Sequence, residues 1–186
     1  MALFLVGITL FCVVHLFPAL APTARDNLVF KLGENPYRGI YSLLVLAGLM
    51  MIVFGWKATT PSALYVPPLG PGILPTLLVL AGLVLFFSSK MKGYLKRVFR
   101  HPQMVGTLLW AGSHLLTNGD TRSVTLFGSL AVWALLEIVL CNRRDGPRKE
   151  LPSASLLVDV IALSVGVGEF AVIGHFDLKL LGVSPV

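Results

Sequence analysis

Long apolar stretches alternate with short polar segments along the whole chain. Six of these stretches lie at about residues 2–21, 40–56, 72–89, 102–118, 124–141 and 153–175. The hydrocarbon core of a bilayer is about 30 Å thick, and a helix needs about 20 apolar residues to cross it. The pattern therefore predicts an all-α fold, a polytopic membrane bundle of six transmembrane helices in a single domain of residues 1–186.

Composition also favours a membrane environment. Hydrophobic residues make up 55% of the chain and charged residues only 13%, whereas soluble domains carry about 25% charged residues. Mean hydropathy is +0.82, and the chain is too short for a separate soluble catalytic domain. A formal charge of +6 in a soluble protein would suggest nucleic acid. Here the basic residues lie between apolar stretches, so the predicted partners are lipid headgroups, and nucleic acid is not among them.

The basic residues lie mainly in alternate loops. Segments 22–39, 90–101 and 142–152 contain 12 of the 15 lysines and arginines. The positive-inside rule places these three segments in the cytoplasm and both termini outside. The Pro/Gly-rich stretch from Pro61 to Pro75 is then an outside loop. An alternative is that the first stretch is a cleaved signal peptide, but it has no basic segment before it, and Pro22 would follow the cut.

The four histidines differ in their predicted depth. His15 lies roughly 20 Å from the outer start of the first helix, and so about 10 Å from the cytoplasmic face. His114 lies about 18 Å from the same face. Helix tilt and the length of the side chains can absorb an offset of about 8 Å, so the two histidines are predicted to approach a common centre. His101 lies at the cytoplasmic mouth and His175 at the outer end of the last helix, and neither is expected to reach that centre.

The residues around the two deep histidines allow two interpretations. The predicted fourth helix has a polar or small face around His114, formed by Gln103, Gly106, Thr107, Trp110, Ala111, Thr117 and Asn118. The first helix surrounds His15 with an apolar wall that includes Phe11 and Cys12. One interpretation is ordinary helix packing, with each histidine hydrogen-bonded across helices. The other is a flat cofactor held by two histidines. Neither the spacing nor the carboxylates indicate zinc.

The remaining titratable groups in the apolar stretches do not predict a site. Glu137 lies about 6 Å from the cytoplasmic face and is expected to pair with a loop arginine. Asp159 resembles it, and Glu169 lies nearer the outside. No three of these acids and histidines share a helical face, so no proton relay is evident. Cys12 and Cys141 lie inside apolar stretches and predict neither a disulfide framework nor a zinc site.

Several short motifs occur in a fixed order along the chain. The central ones are Arg100-His101-Pro102-Gln103-Met104-Val105-Gly106, Leu109-Trp110, Ser113-His114-Leu115, Asn118-Gly119-Asp120 and Asn142-Arg143-Arg144. The N-terminal Phe11 to His15 and the C-terminal Gly174-His175 and Leu181 to Pro185 complete the pattern. This pattern resembles the NnrU family, to which the plant 15-cis-zeta-carotene isomerase is related, and it extends over nearly the whole chain.

The resemblance implies a bis-histidine haem b site. In the isomerase two membrane histidines hold the haem, and the motifs match them to His15 and His114. The isomerase also has a cysteine three residues before its second histidine as an alternative iron ligand, where this chain has Ala111. The resemblance places Phe11, Gly106, Trp110, Ala111, Arg100 and His101 around the cofactor. The haem propionates would face the cytoplasmic cations Lys96, Arg97, Arg100 and Arg143, for which positive-inside topology is the alternative explanation.

Three functions stay open, the first two implied by this resemblance and the third from a different class of protein. The first is redox-gated cis–trans isomerisation of a hydrophobic polyene. An electron donor would supply the electrons for the reduced state. The second is a non-enzymatic haem protein of denitrification or nitric-oxide metabolism, which binds a gas or transfers an electron. The third is a small membrane methyltransferase, because an Arg-His-Pro entering a helix also occurs there, although its paired acidic residues are missing: Glu137 stands alone. The lack of a plastid-targeting extension fits a multi-pass protein of the bacterial inner membrane.

Overall fold

The computed structural model describes residues 1–148 and 154–176. In this part of the chain the regular secondary structure is helical, and an isolated bridge pairs Ala63 with Asp120. The helices are α1 (Ala2–Leu20), α2 (Pro22–Leu32), α3 (Glu34–Ala58), α4 (Ile73–Ser88), α5 (Tyr94–Val98), α6 (Pro102–Thr117), α7 (Thr121–Asp145) and α8 (Leu156–Phe176). The predicted all-α fold is confirmed.

The six long helices coincide with the six predicted apolar stretches. By length and composition, four of them can cross a membrane: α1, α3, α7 and the Leu156–Ile173 part of α8. The helices α4 and α6 have 16 residues each, which corresponds to about 24 Å and is shorter than the hydrocarbon core. The structure therefore supports a membrane protein with four candidate spans, while the six-span topology and the orientation stay predictions.

The helix ends differ from the predicted ones where polar residues continue a helix. Helix α3 begins at Glu34 and α7 extends to Asp145, several residues beyond their apolar stretches. Hydropathy detects only the part of a helix that suits hydrocarbon, so a polar extension is missed. For the same reason the short helices α2 and α5 lie in segments predicted as loops. Pro22 and Pro102 each occupy the first turn of a helix, where the missing N–H costs no hydrogen bond.

Helix α7 lies between two groups of helices. On one side α1 packs on α3, and on the other α6 packs on α4, which also contacts α8; α7 contacts both α1 and α6. Glycines allow close approach of the backbones within each group. A Cβ on Gly82 of α4 would lie 2.7 Å from the carbonyl oxygen of Gly106 on α6, and one on Gly55 of α3 would meet the backbone of Phe4 on α1.

The two ends of the bundle are held by different contacts. We call the end formed by residues 22–39, 90–101 and 142–148 the basic end. There the Asp159 carboxylate accepts hydrogen bonds from the backbone N–H groups of Tyr94 (2.7 Å) and Leu95 (3.2 Å). At the opposite end, the predicted Pro/Gly-rich loop packs over the α6–α7 turn. The N–H groups of Leu64 and Tyr65 donate to the Gly119 carbonyl, so this loop covers the end of α6 that carries His114.

Candidate functional site

His15 is oriented by the backbone of its own helix. Its Nδ1 lies 2.7 Å from the carbonyl oxygen of Phe11, one turn earlier on α1. A carbonyl only accepts hydrogen bonds, so Nδ1 carries the proton and Nε2 keeps its lone pair. The ring contacts Phe11, Trp133 and Tyr41 at centroid distances of 4.2, 5.4 and 5.9 Å. His15 therefore presents a basic nitrogen within an aromatic environment.

His114 is held mainly by aromatic contacts. Its ring stacks on Phe127 of α7 with centroids 4.1 Å apart and planes 6° apart, and it lies nearly perpendicular to the Trp110 ring with centroids 5.5 Å apart. The Asn118 amide nitrogen lies 3.4 Å from His114 Nδ1 and donates to the His114 carbonyl oxygen at 3.1 Å. Within the described residues, His114 Nε2 has no hydrogen-bond partner. In both deep histidines Nδ1 therefore lies near a group four residues away in the chain. This group is the Phe11 carbonyl oxygen for His15 and the Asn118 side-chain amide for His114.

The two histidines contact the same helix at different heights. His15 contacts Trp133 and His114 contacts Phe127, and these aromatic residues lie about 9 Å apart along α7. Phe11 of α1 and Trp110 of α6 pack against the same buried group on α7, formed by Leu130, Trp133 and Ala134. The described residues include no ring contact between His15 and His114. Joint ligation of one metal ion would require both imidazoles to extend toward each other along α7.

Trp133 contributes an unpaired polar group beside His15. The side chain is only 6% exposed, and its buried indole Nε1 has no hydrogen-bond partner within the described residues. A buried donor left unpaired costs about 1–3 kcal/mol, so this position favours an acceptor that is not part of the protein chain. Neither Trp133 nor Phe127 was predicted from the sequence. An aromatic residue in an apolar helix is ordinary, and the sequence carries no signal that either one contacts a histidine.

Two other residues predicted to surround the cofactor contribute to helix packing. Gly106 packs against α4, where a Cβ would collide with the Gly82 carbonyl oxygen and lie 2.9 Å from the Phe86 nitrogen. Ala111 is fully buried. Phe11 and Trp110 do lie beside the histidines, as expected. The roles of these four residues in cofactor binding stay predictions.

Arg100 and His101 connect the start of α6 with the end of α7. The Arg100 guanidinium donates to the Gly146 carbonyl oxygen at 2.7 Å. His101 Nε2 donates to the Asn142 side-chain oxygen at 2.9 Å. Lys96 donates to the Ser89 carbonyl oxygen at 2.9 Å. These contacts give all three residues a structural role at the basic end, and their predicted role near haem propionates stays a prediction.

The carboxylates have partners other than the expected ones. Glu137 is buried, and its expected ion pair with a loop arginine is not among the salt bridges of the described residues; instead it accepts from the Cys141 thiol at 3.4 Å. Asp159 binds two backbone N–H groups of α5. Within residues 1–148 and 154–176, no three His, Cys, Asp or Glu side chains are grouped so that they could hold a metal ion.

The C-terminal motif Leu181 to Pro185 lies outside the described residues, and so does the side chain of His175.

Comparison with known proteins supports the resemblance found in the sequence. A family model described as NnrU protein matches residues 3–185, nearly the whole chain. No curated protein and no solved structure matches the chain.

Proposed function

The chain belongs to the NnrU family, and we propose that it is an integral membrane protein that binds one haem b through His15 and His114. The observation that carries this proposal is the hydrogen bond from His15 Nδ1 to the Phe11 carbonyl oxygen. Histidines that ligate metals usually donate their other ring nitrogen in this way, which fixes the tautomer and the ring orientation. Imidazole nitrogen is also a common axial ligand of haem.

The surroundings of the histidines are compatible with haem. Aromatic side chains from four helices lie beside them, and the indole N–H of Trp133, unpaired within the described residues, is available to an acceptor. The chain contains no Cys-x-x-Cys-His segment, so the haem would be bound without covalent attachment. Bound haem would supply a redox-active iron. The protein would hold it, exclude water from it, and set the orientation of the two imidazoles.

We further propose that the basic end faces the cytoplasm of a bacterial inner membrane. This follows from the concentration of lysine and arginine at that end. Redox-gated isomerisation of a hydrophobic polyene is the activity that this site supports best, because a site inside a bilayer can be reached by an apolar substrate from the lipid. Gas binding or electron transfer in denitrification is the alternative function of the same haem.

The visible spectrum of the detergent-purified protein, oxidised and reduced, tests the proposal. We expect a b-type spectrum and a pigment that acid acetone extracts completely. His15→Ala and His114→Ala should each remove most of the haem. His175→Ala is the matched control, since α8 packs on α4 and α5 and this histidine is expected far from the site. A colourless wild-type protein, or equal haem loss in all three variants, would refute the proposed site.

A further inference from the structure

A cavity of about 620 Å³ lies at the basic end. Residues from the end of α1, from α2, from the start of α3 and from the end of α7 line it. The polar side chains that matter here are Arg25, Arg38, Arg144, Tyr37, Tyr41 and Ser42. Tyr41 also contacts the ring of His15. No function was predicted from the sequence for these six residues.

The cavity wall carries a net positive charge. Each of its three arginines pairs with a neighbouring carboxylate, Arg25 with Asp26 at 2.8 Å, Arg38 with Glu34 at 2.5 Å and Arg144 with Asp145 at 2.7 Å. Of these carboxylates only Asp26 lines the cavity. Exposed ion pairs are weak, and a guanidinium group has donors left after one such pair. The wall therefore retains N–H donors for an anion.

Tyr37 adds an unpaired donor to the same wall. Its hydroxyl oxygen is buried and makes no hydrogen bond of standard geometry within the described residues. The Arg25 guanidinium lies over its ring, 5.7 Å from the centroid. A buried hydroxyl without a partner is costly, and an acceptor in the cavity would satisfy it. This observation is independent of the arginine charges and also indicates an anionic or oxygen-rich ligand.

The cavity lies at the level expected for lipid headgroups. Helix α2 has 11 residues, too few to cross a bilayer, and it carries Arg25, Lys31 and an 89% exposed Phe30 beside the apolar helix α1. Beside the cavity, α1 and α3 expose Leu20 and Leu43. A ligand in the cavity would thus have an apolar helix surface next to it on the bilayer side.

We propose that this cavity binds the phosphate headgroup of an anionic phospholipid. The phosphate would accept hydrogen bonds from Arg25, Arg38, Arg144 and the Tyr37 hydroxyl, and the acyl chains would lie along α1 and α3. Arginine binds phosphate oxygens in a bidentate manner, and basic pockets between membrane helices at the cytoplasmic side are typical sites for anionic lipids. The arginine side chains are 42%, 70% and 38% exposed, which fits a site open to the membrane rather than an enclosed cofactor.

Native mass spectrometry of the full chain, released from bilayer discs containing phosphatidylglycerol and phosphatidylcholine, tests this assignment. We expect one tightly retained phosphatidylglycerol per chain. The double variant Arg38→Gln, Arg144→Gln should retain it at least about tenfold less well, through loss of two charge-assisted contacts. Lys31→Gln, Lys90→Gln removes the same charge at the same end from residues that do not line the cavity, and it should retain the lipid as the wild type does.

Tyr37→Phe tests the site without changing charge. Its hydroxyl makes no hydrogen bond of standard geometry within the described residues, so folding should be little affected, and lipid retention should fall by about fivefold for one lost hydrogen bond. Equal loss in the lysine variant, or equal retention of phosphatidylcholine, would overturn the proposal. So would displacement of the lipid by millimolar inorganic phosphate, which would make this a small-anion site. Loss of haem in step with lipid in the arginine variant would assign the cavity to haem propionates and also overturn it.

Discussion

The rings of His114 and Phe127 are stacked face to face, with centroids 4.1 Å apart and planes 6° apart. His114 lies near the end of α6 and Phe127 near the start of α7, so the stack spans a tight helical hairpin. His15 is fixed instead by the Phe11 carbonyl oxygen. One histidine is therefore oriented by a neighbouring helix and the other by its own helix. The two should respond differently to mutation.

Phe127→Leu should loosen His114 and accelerate haem loss. An aromatic pair contributes about 0.5–1.5 kcal/mol beyond its buried area, so we expect haem to dissociate up to about tenfold faster into excess apomyoglobin. Phe54→Leu, a 59% exposed phenylalanine on α3, is the control and should behave as wild type. Identical rates for the two variants would show that the stack does not support a haem ligand.

His15 is expected to be the ligand that leaves when the haem is reduced. Pro18 lies inside α1 and cannot donate a backbone hydrogen bond, which weakens this part of the helix. If haem binds as proposed, His15 and His114 would both hold the iron, so chemistry at the metal would need one of them to leave. Carbon monoxide should shift the Soret band of the reduced protein readily, and His15→Ala protein resupplied with haem should bind it faster. A reduced wild type that ignores carbon monoxide for hours would indicate an electron carrier.

Gly106→Ala should destabilise the contact between α4 and α6. The new methyl group would collide with the Gly82 carbonyl oxygen, and overpacking of this kind typically costs about 1–3 kcal/mol. Gly112→Ala is the matched control on the same helix, because a Cβ there meets no atom within 4 Å, and it should be neutral or slightly stabilising. Thermal unfolding in detergent should separate the two variants, and equal melting temperatures would contradict the close packing.

Asp120 should stabilise the start of α7 in a pH-dependent manner. Its carboxylate accepts from the backbone N–H groups of Arg122 (2.9 Å) and Ser123 (3.2 Å). Partial burial by itself raises the pKa of Asp120, but the hydrogen bonds from Ser123 and Arg122 and the Arg122 charge outweigh it and lower the pKa below its ordinary value. The stabilisation is thus complete above the ordinary pKa and is lost as pH falls through the lowered one.

Comparison of Asp120→Ala with the wild type tests this cap. At about pH 7 the variant should lose about 1 kcal/mol of stability, measured as a shift in the denaturation midpoint in detergent. The difference should shrink in strong acid, below the lowered pKa, because the wild-type carboxyl is then protonated. A difference that grows as pH falls would contradict the assigned direction of the pKa shift.

Reporter fusions should reveal the orientation. A reporter active only in the cytoplasm should be silent when fused after Val186 and active when inserted in the loop near Lys92. The latter site belongs to the basic end. The reverse pattern would overturn the orientation derived from the loop charges. Activity at both sites would mean that an even number of spans, and not the predicted three, lies between Lys92 and Val186.

The sequence by itself determined the helical class and the approximate position of each long helix. A residue's preference for hydrocarbon is a property of that residue, so an apolar stretch can be found without its neighbours in space. The polar ends of α3 and α7, and the short helices α2 and α5, carry no such signal. The sequence also predicts that His15 and His114 lie at unequal depth, and this prediction uses the rise along each helix.

Only the tertiary structure decided which helix faces meet. It places α7 between α1 and α6, which makes Trp133 and Phe127 the neighbours of the two histidines, and it brings Arg144 to a cavity shared with Arg25 and Arg38. It also ties Arg100 to the end of α7. These contacts join residues far apart in the chain. Lipid tails are as apolar as the side chains that pack together, so hydropathy does not distinguish a face that contacts lipid from one that contacts protein.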